Sequence, residues 1–163
     1  MGLAFNADEI FEIAQQIERN GAKFYRRAAQ GFKEKRLKDL ILELAAMEDK
    51  HLELFTRMRA GIAEAEKTPT AIDPEGEAAL YLKALADARI FDVTVDPSSK
   101  LTGRESAADV LRAAIGLEKD SVVFYLGMRD LVPPKFGRPQ IENIINEEMR
   151  HVTILSNELA KAS

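Results

Sequence analysis

Apolar residues recur along this chain at the three-to-four spacing of helices, and no stretch shows the two-residue alternation of a strand. From Ala7 to about Ala29, Ile10, Ile13, Ala14, Ile17 and Phe24 mark one face, behind an Asn6-x-x-Glu9 capping signal and ahead of Gly31. Lys33 to about Glu66 repeats the pattern through Leu37, Leu40, Ile41, Leu44, Ala45, Leu52, Phe55 and Met58. A connection as short as Gln30 to Phe32 makes this second helix the antiparallel neighbour of the first. Thr102-x-x-Glu105 reads as a capping box opening a third long helix, from about Gly103 to about Leu131, which Pro133-Pro134 ends. A fourth runs from near Pro139 to about Ala160 through Ile141, Ile144, Ile145, Val152, Leu155 and Leu159.

The connection between the second and third helices is too long for a turn. Asp73-Pro74 followed by Ala78, Leu82 and Leu85 predicts a short accessory helix over about 74–90. The expected architecture is therefore all-α: one domain over 1–163, a four-helix bundle of two hairpins joined by a long crossover. Tyr81, Leu82, Leu85, Ile90 and Phe91 make that crossover more apolar than an exposed connection needs, which predicts packing on the bundle or a second copy and hence a homodimer.

Composition narrows the chemistry. The 163 residues carry a formal net charge of −4, which gives no electrostatic reason to expect nucleic acid or an anionic membrane as partner. There is no cysteine, which removes disulfides, zinc ribbons, iron–sulfur clusters and thiol nucleophiles together. No secretory leader pattern and no membrane-length apolar run is found, so the default expectation is a cytoplasmic location.

The two histidines of the chain, His51 and His151, each follow a glutamate at i−3, Glu48 and Glu148, and the two units are offset by 100 positions. The same offset relates Glu18 to Glu118, Phe24 to Phe124 and Tyr25 to Tyr125, so one helix pair is written twice. Residues at i and i+3 share a helix face, so each Glu-x-x-His unit can reach a common ion. Alone, such a unit arises often by chance on a solvated face; the joint register of four glutamates and two histidines is what points to metal. Four ionised carboxylates in an apolar core repel one another unless cations offset them, and two divalent ions would neutralise all four. A carboxylate-rich set with two imidazoles suits iron or manganese, or a mixed pair, better than zinc. Glu48 and Glu148 are the expected bridging ligands, and Glu18 and Glu118 the terminal ones. Seven residues beyond Glu18 and Glu118, the Tyr25 and Tyr125 hydroxyls either hydrogen-bond ligand carboxylates or belong to aromatic core residues that find any nearby acceptor. Glu147, four residues before His151, is placed either to orient that histidine or on the exposed surface, and exposure is the expectation.

The segments Ile17 to Tyr25, Met47 to His51, Leu117 to Tyr125 and Glu148 to His151 resemble the ferritin-like domain of the rubrerythrin family, over all four long helices. The resemblance implies a non-haem di-iron centre of two iron ions per chain. It also implies peroxidase chemistry through Glu18, Glu48, Glu118 and Glu148, with hydrogen peroxide or dioxygen as the oxidant. Two departures stand out. Typical members carry a cysteine-ligated rubredoxin domain, so this cysteine-free sequence implies a separate electron donor. Typical members also have a further glutamate one turn after the third-helix ligand, where this chain has Ser121, matched by Gly21 in the first repeat. Two small residues there either leave room beside the metals for an exogenous molecule or let helices pack closely. Iron storage through a ferroxidase-type site, and a bundle that holds metal only to fold, are the alternatives.

Overall fold

The computed structural model describes residues 7–62, 80, 84 and 94–162. Among these, four long helices carry the fold and no strand occurs: α1 (Ala7–Gly31), α2 (Lys35–Ala60), α3 (Ala107–Leu131) and α4 (Arg138–Ala162). The helix α1 packs along α2 and α3 packs along α4, while α1 also meets α3. This is the all-α four-helix bundle of two hairpins that the apolar periodicity predicts. The expected accessory helix near 74–90 lies outside the described residues apart from Leu80 and Ala84, both helical. The segment invoked for a dimer lies outside them too.

Helices α1 and α4 each run two residues past their expected ends, to Gly31 and Ala162, and three other boundaries differ as well. The helix α3 begins at Ala107, not near residue 103, because Ser106 is its N-cap and accepts a hydrogen bond from Asp109 N at 3.1 Å. Thr102 and Glu105 do bond, with Glu105 accepting from Thr102 N at 2.7 Å and Gly103 N at 2.9 Å, but they close a turn ahead of the helix. Gly103, at φ +83°, sits in the left-handed region, which breaks the helical path there. The helix α2 stops at Ala60 rather than about Glu66, where Gly61 donates back to Arg57 O and Met58 O. It also starts at Lys35 rather than Lys33, behind extended Glu34. Ser106→Ala should cost ~1 kcal/mol by leaving the Asp109 N–H without its side-chain acceptor. A thermal melt should then fall by about 2–4 °C; an unchanged midpoint would contradict the cap.

The turn into α4 depends on Gly137. Its φ of +101° disfavours any side chain, and a Cβ there would stand 2.7 Å from Met58 Cε. Polar clamps fix the helices to one another. The Arg36 guanidinium of α2 meets both Glu158 oxygens of α4 at 3.1 and 2.7 Å, and Arg59 of α2 grips Asp8 of α1 at 2.8 and 2.9 Å.

The core falls into two apolar clusters. One gathers Ile10, Phe11, Phe55, Tyr125, Met128 and Ile141, among others; the other gathers Phe24, Tyr25, Ile41, Leu44, Leu111 and Leu155, among others. Along α1 the stripe passes from Ile17 of the first cluster to Phe24 of the second, and the buried residue after Ile17 is Glu18. The same interruption falls at Glu48 and His51 in α2, Glu118 in α3, and Glu148 and His151 in α4. Burying six ionisable groups in this way opposes stability unless something offsets their charge.

Candidate metal centre

All six sequence-predicted ligands are buried, with relative exposures of 0–4 %. They form two overlapping groups of donors, Glu18, Glu48, His51 and Glu148 in one and Glu48, Glu118, Glu148 and His151 in the other. Within each group the donor atoms lie inside 4.8 Å of one another. Glu48 and Glu148 belong to both groups, while Glu18 and Glu118 belong to one each. Each Glu-x-x-His unit contributes to the overlap because α2 and α4 present it one turn deep in the buried stripe. The two imidazole rings lie nearly parallel, 6.0 Å apart between centroids and inclined by 20°.

The Glu148 carboxylate spans the centre, with Oε1 at 3.0 Å from His51 Nδ1 and Oε2 at 2.9 Å from His151 Nδ1. Glu18 Oε2 is 3.5 Å from His51 Nδ1; Glu118 Oε1 and Glu48 Oε1 are 3.4 and 3.5 Å from His151 Nδ1. These atoms are close, yet Glu18 Oε2, Glu48 Oε1, His51 Nδ1, both Glu148 oxygens and both His151 nitrogens have no aligned hydrogen-bond partner among the described residues. Buried polar atoms that face one another without hydrogen-bonding are costly in an ordinary core. Converging oxygen and imidazole donors of this kind fit divalent iron or manganese.

Protons hold this charge cluster together in the absence of a cation. Burial and the neighbouring Glu148, Glu18 and Glu118 push the Glu48 carboxyl well above its usual range. Burial and Glu148 likewise raise Glu118 to about 8, with His151 pulling the other way. Burial would lower both imidazoles, but the facing carboxylates outweigh it and raise His51 to about 11 and His151 to about 9. Burial also opposes the Glu148 anion, and the two imidazolium groups beside it nevertheless hold its carboxyl below the ordinary range.

The tyrosines reach across the bundle. Tyr25 OH donates to Glu118 Oε1, and Tyr125 OH donates to Glu18 Oε1. Seven residues of helix advance about 10.5 Å, which puts each hydroxyl beyond its own helix's glutamate and beside the glutamate of the other repeat. Both hydroxyls stay protonated, their pKa values raised by burial and then by the surrounding glutamates. Glu147, expected on the surface, is instead half-buried with its Oε2 2.7 Å from His51 Nε2. The helical period places Glu147 beside its own helix's buried face but cannot tell that His51 of α2 reaches it.

A cavity of about 230 Å³ adjoins the centre, lined in part by Asn20, Gly21, Glu48, Glu118 and Ser121, with Val95 and Lys100 contributed by the connection before α3. The Ser121 hydroxyl turns back to Leu117 O at 3.0 Å, so it does not fill this space. A Cβ at Gly21 would come within 3.2 Å of Glu48 Oε2, so the glycine also sets where Glu48 can stand.

Four helices around a buried carboxylate and histidine cluster able to bind metal define a ferritin-like diiron-carboxylate fold. The sequence profile of the ferritin-like domain matches residues 6–161, and the chain belongs to that family. A crystal structure of a candidate ferritin-like diiron-carboxylate protein from Thermotoga maritima is similar, with a TM-score of 0.75 and 25 % sequence identity over 97 % of each chain. No match was found among curated proteins. No helix among the described residues is long and apolar enough to cross a membrane.

Proposed function

We propose that this chain is a rubrerythrin-type di-iron protein that reduces hydrogen peroxide with electrons from an external donor. The observation that carries the reading is the pair of donor groups overlapping at Glu48 and Glu148, with a cavity reaching Glu48 and Glu118. Glu18, His51 and the two shared carboxylates would hold one ion; Glu118, His151 and the same carboxylates would hold the other. Two ferrous ions would supply the two electrons that, with two protons, convert hydrogen peroxide into two waters.

The protein's own groups do the rest. The hydrogen bond from Tyr125 occupies Glu18 Oε1 and leaves Oε2 turned toward His51 Nδ1, so the carboxylate has one oxygen for an ion and one held by the protein. Tyr25 restrains Glu118 from the opposite repeat through Oε1, the same oxygen that lies 3.4 Å from His151 Nδ1. Gly21 and Ser121 keep the approach to Glu48 and Glu118 open where a glutamate would close it. These 163 residues hold no cysteine for a rubredoxin-type iron, so in this reading the electrons reach the bundle from outside it.

Stopped-flow oxidation of the anaerobically loaded ferrous protein tests the reading. Hydrogen peroxide is expected to oxidise it at least about ten times faster than dioxygen at equal concentration, a barrier difference of about 1.4 kcal/mol. Parity, or faster reaction with dioxygen, would overturn the peroxidase assignment.

A further inference from the structure

The 100-residue repeat makes the two halves of the centre look equivalent, and one contact breaks that equivalence. His51 Nδ1 faces Glu148 and Glu18, and its other nitrogen, Nε2, is 2.7 Å from Glu147 Oε2. His151 Nδ1 faces Glu148, Glu118 and Glu48, but its Nε2 is buried with no partner among the described residues. The position matching Glu147 in the first repeat is Met47, whose thioether is only a weak acceptor.

An imidazole that ligates through Nδ1 carries its proton on Nε2. A carboxylate accepting that proton fixes the tautomer, holds the ring's orientation and makes the ligating nitrogen more basic. Glu147 does this for His51, and no described residue does it for His151. The cavity adds a second asymmetry. It touches the shared Glu48 and the Glu118 half of the centre, while Glu18 and His51 do not line it.

We infer that Glu147 is a positioning residue that makes the centre load in order: a tight ion on the His51–Glu18 half first, then a weaker ion on the His151–Glu118 half, beside the cavity. The inference rests on the metal-centre reading and divides its labour. The first ion is held firmly away from the cavity, and the second is the one that an incoming small molecule meets.

Anaerobic titration of the full chain with Co²⁺, followed by visible absorption and calorimetry, tests it without any turnover. The wild type should show two steps of one ion each, separated by at least about tenfold in affinity, the scale on which an imidazole's hydrogen-bond partner acts. Glu147→Met, which copies the first repeat, should weaken the first step by about 10–100-fold and merge the two. Glu147→Gln, which keeps an acceptor oxygen, should recover part of the loss. Met47→Glu should tighten the second step and leave the first unchanged. Glu118→Ala should abolish the second step alone, and azide added to wild type should perturb the cobalt bands only after the second equivalent.

Two indistinguishable steps in the wild type would overturn the inference while leaving the metal centre standing, as would an isotherm unmoved by Glu147→Met. Loss of the first step in Glu118→Ala would reverse the order and overturn it as well. Failure of the wild type to bind Co²⁺ or Fe²⁺ at all would overturn the metal-centre reading itself, and the loading order with it.

Discussion

Glu148→Ala is expected to remove both metal ions from the centre, although only one carboxylate is lost. Its two oxygens stand at 3.0 and 2.9 Å from the two imidazoles, and it belongs to both donor groups. Each half is then left with one terminal glutamate, one histidine and Glu48, whose own carboxyl burial holds toward the neutral form. Iron content should fall from about two per chain to near none. Glu118→Ala is the contrast, because Glu118 serves one group only, and it should retain about one. Equal losses in the two variants, measured by elemental analysis after desalting, would contradict the shared role of Glu148.

The second large effect is a reversal in how stability depends on pH. In the metal-free fold Glu118 titrates at about 8 and Glu48 well above its ordinary 4.5. Between the unfolded and folded values, the folded state therefore binds more protons than the unfolded chain, and stability falls as pH rises. The histidines add to this. Their folded values of about 11 and 9 exceed the ordinary 6.5, so their contribution is complete below 6.5 and is lost as pH rises through the folded values. Glu148, held low, acts in the opposite sense, but only below the ordinary carboxyl value of 4.5.

The metal-free protein should therefore lose stability steadily from about pH 5.5 to about pH 8.5 in urea melts. Metal loading must displace the protons on Glu48, His51, Glu118 and His151, as many as four, so metal affinity and the stabilisation it brings should grow over the same range. At a free metal concentration of about 1,000 times Kd the added stability is about 4 kcal/mol, and the midpoint should rise by roughly 10 °C. Metal-free stability that climbs with pH would show that these groups are not protonated in the folded state.

The parts of this arrangement that were legible in the sequence are those set by one helix at a time. The period of the apolar stripe placed four helices, and the repeat offset named Glu18, Glu48, His51, Glu118, Glu148 and His151, which the fold gathers into one cluster. The contacts that were not legible run between helices. Tyr25 and Tyr125 lie on a predictable face, but which glutamate each reaches depends on how α1 and α3 sit side by side. Spacing along its own helix ties Glu147 to His151 or to solvent, whereas its partner is His51, on another helix 96 positions away in sequence. The start of α3 was misplaced for a local reason. Thr102 and Glu105 form real hydrogen bonds that a capping box and a free-standing turn share, and the left-handed Gly103 between them decides for the turn.

The central claim is that the two overlapping donor groups hold two metal ions, and iron per chain tests it most directly. After anaerobic Fe²⁺ loading, desalting and brief exposure to peroxide, elemental analysis of the wild type should give about two irons per chain. Essentially none would contradict the metal centre, and many per chain would contradict a paired site in favour of iron storage.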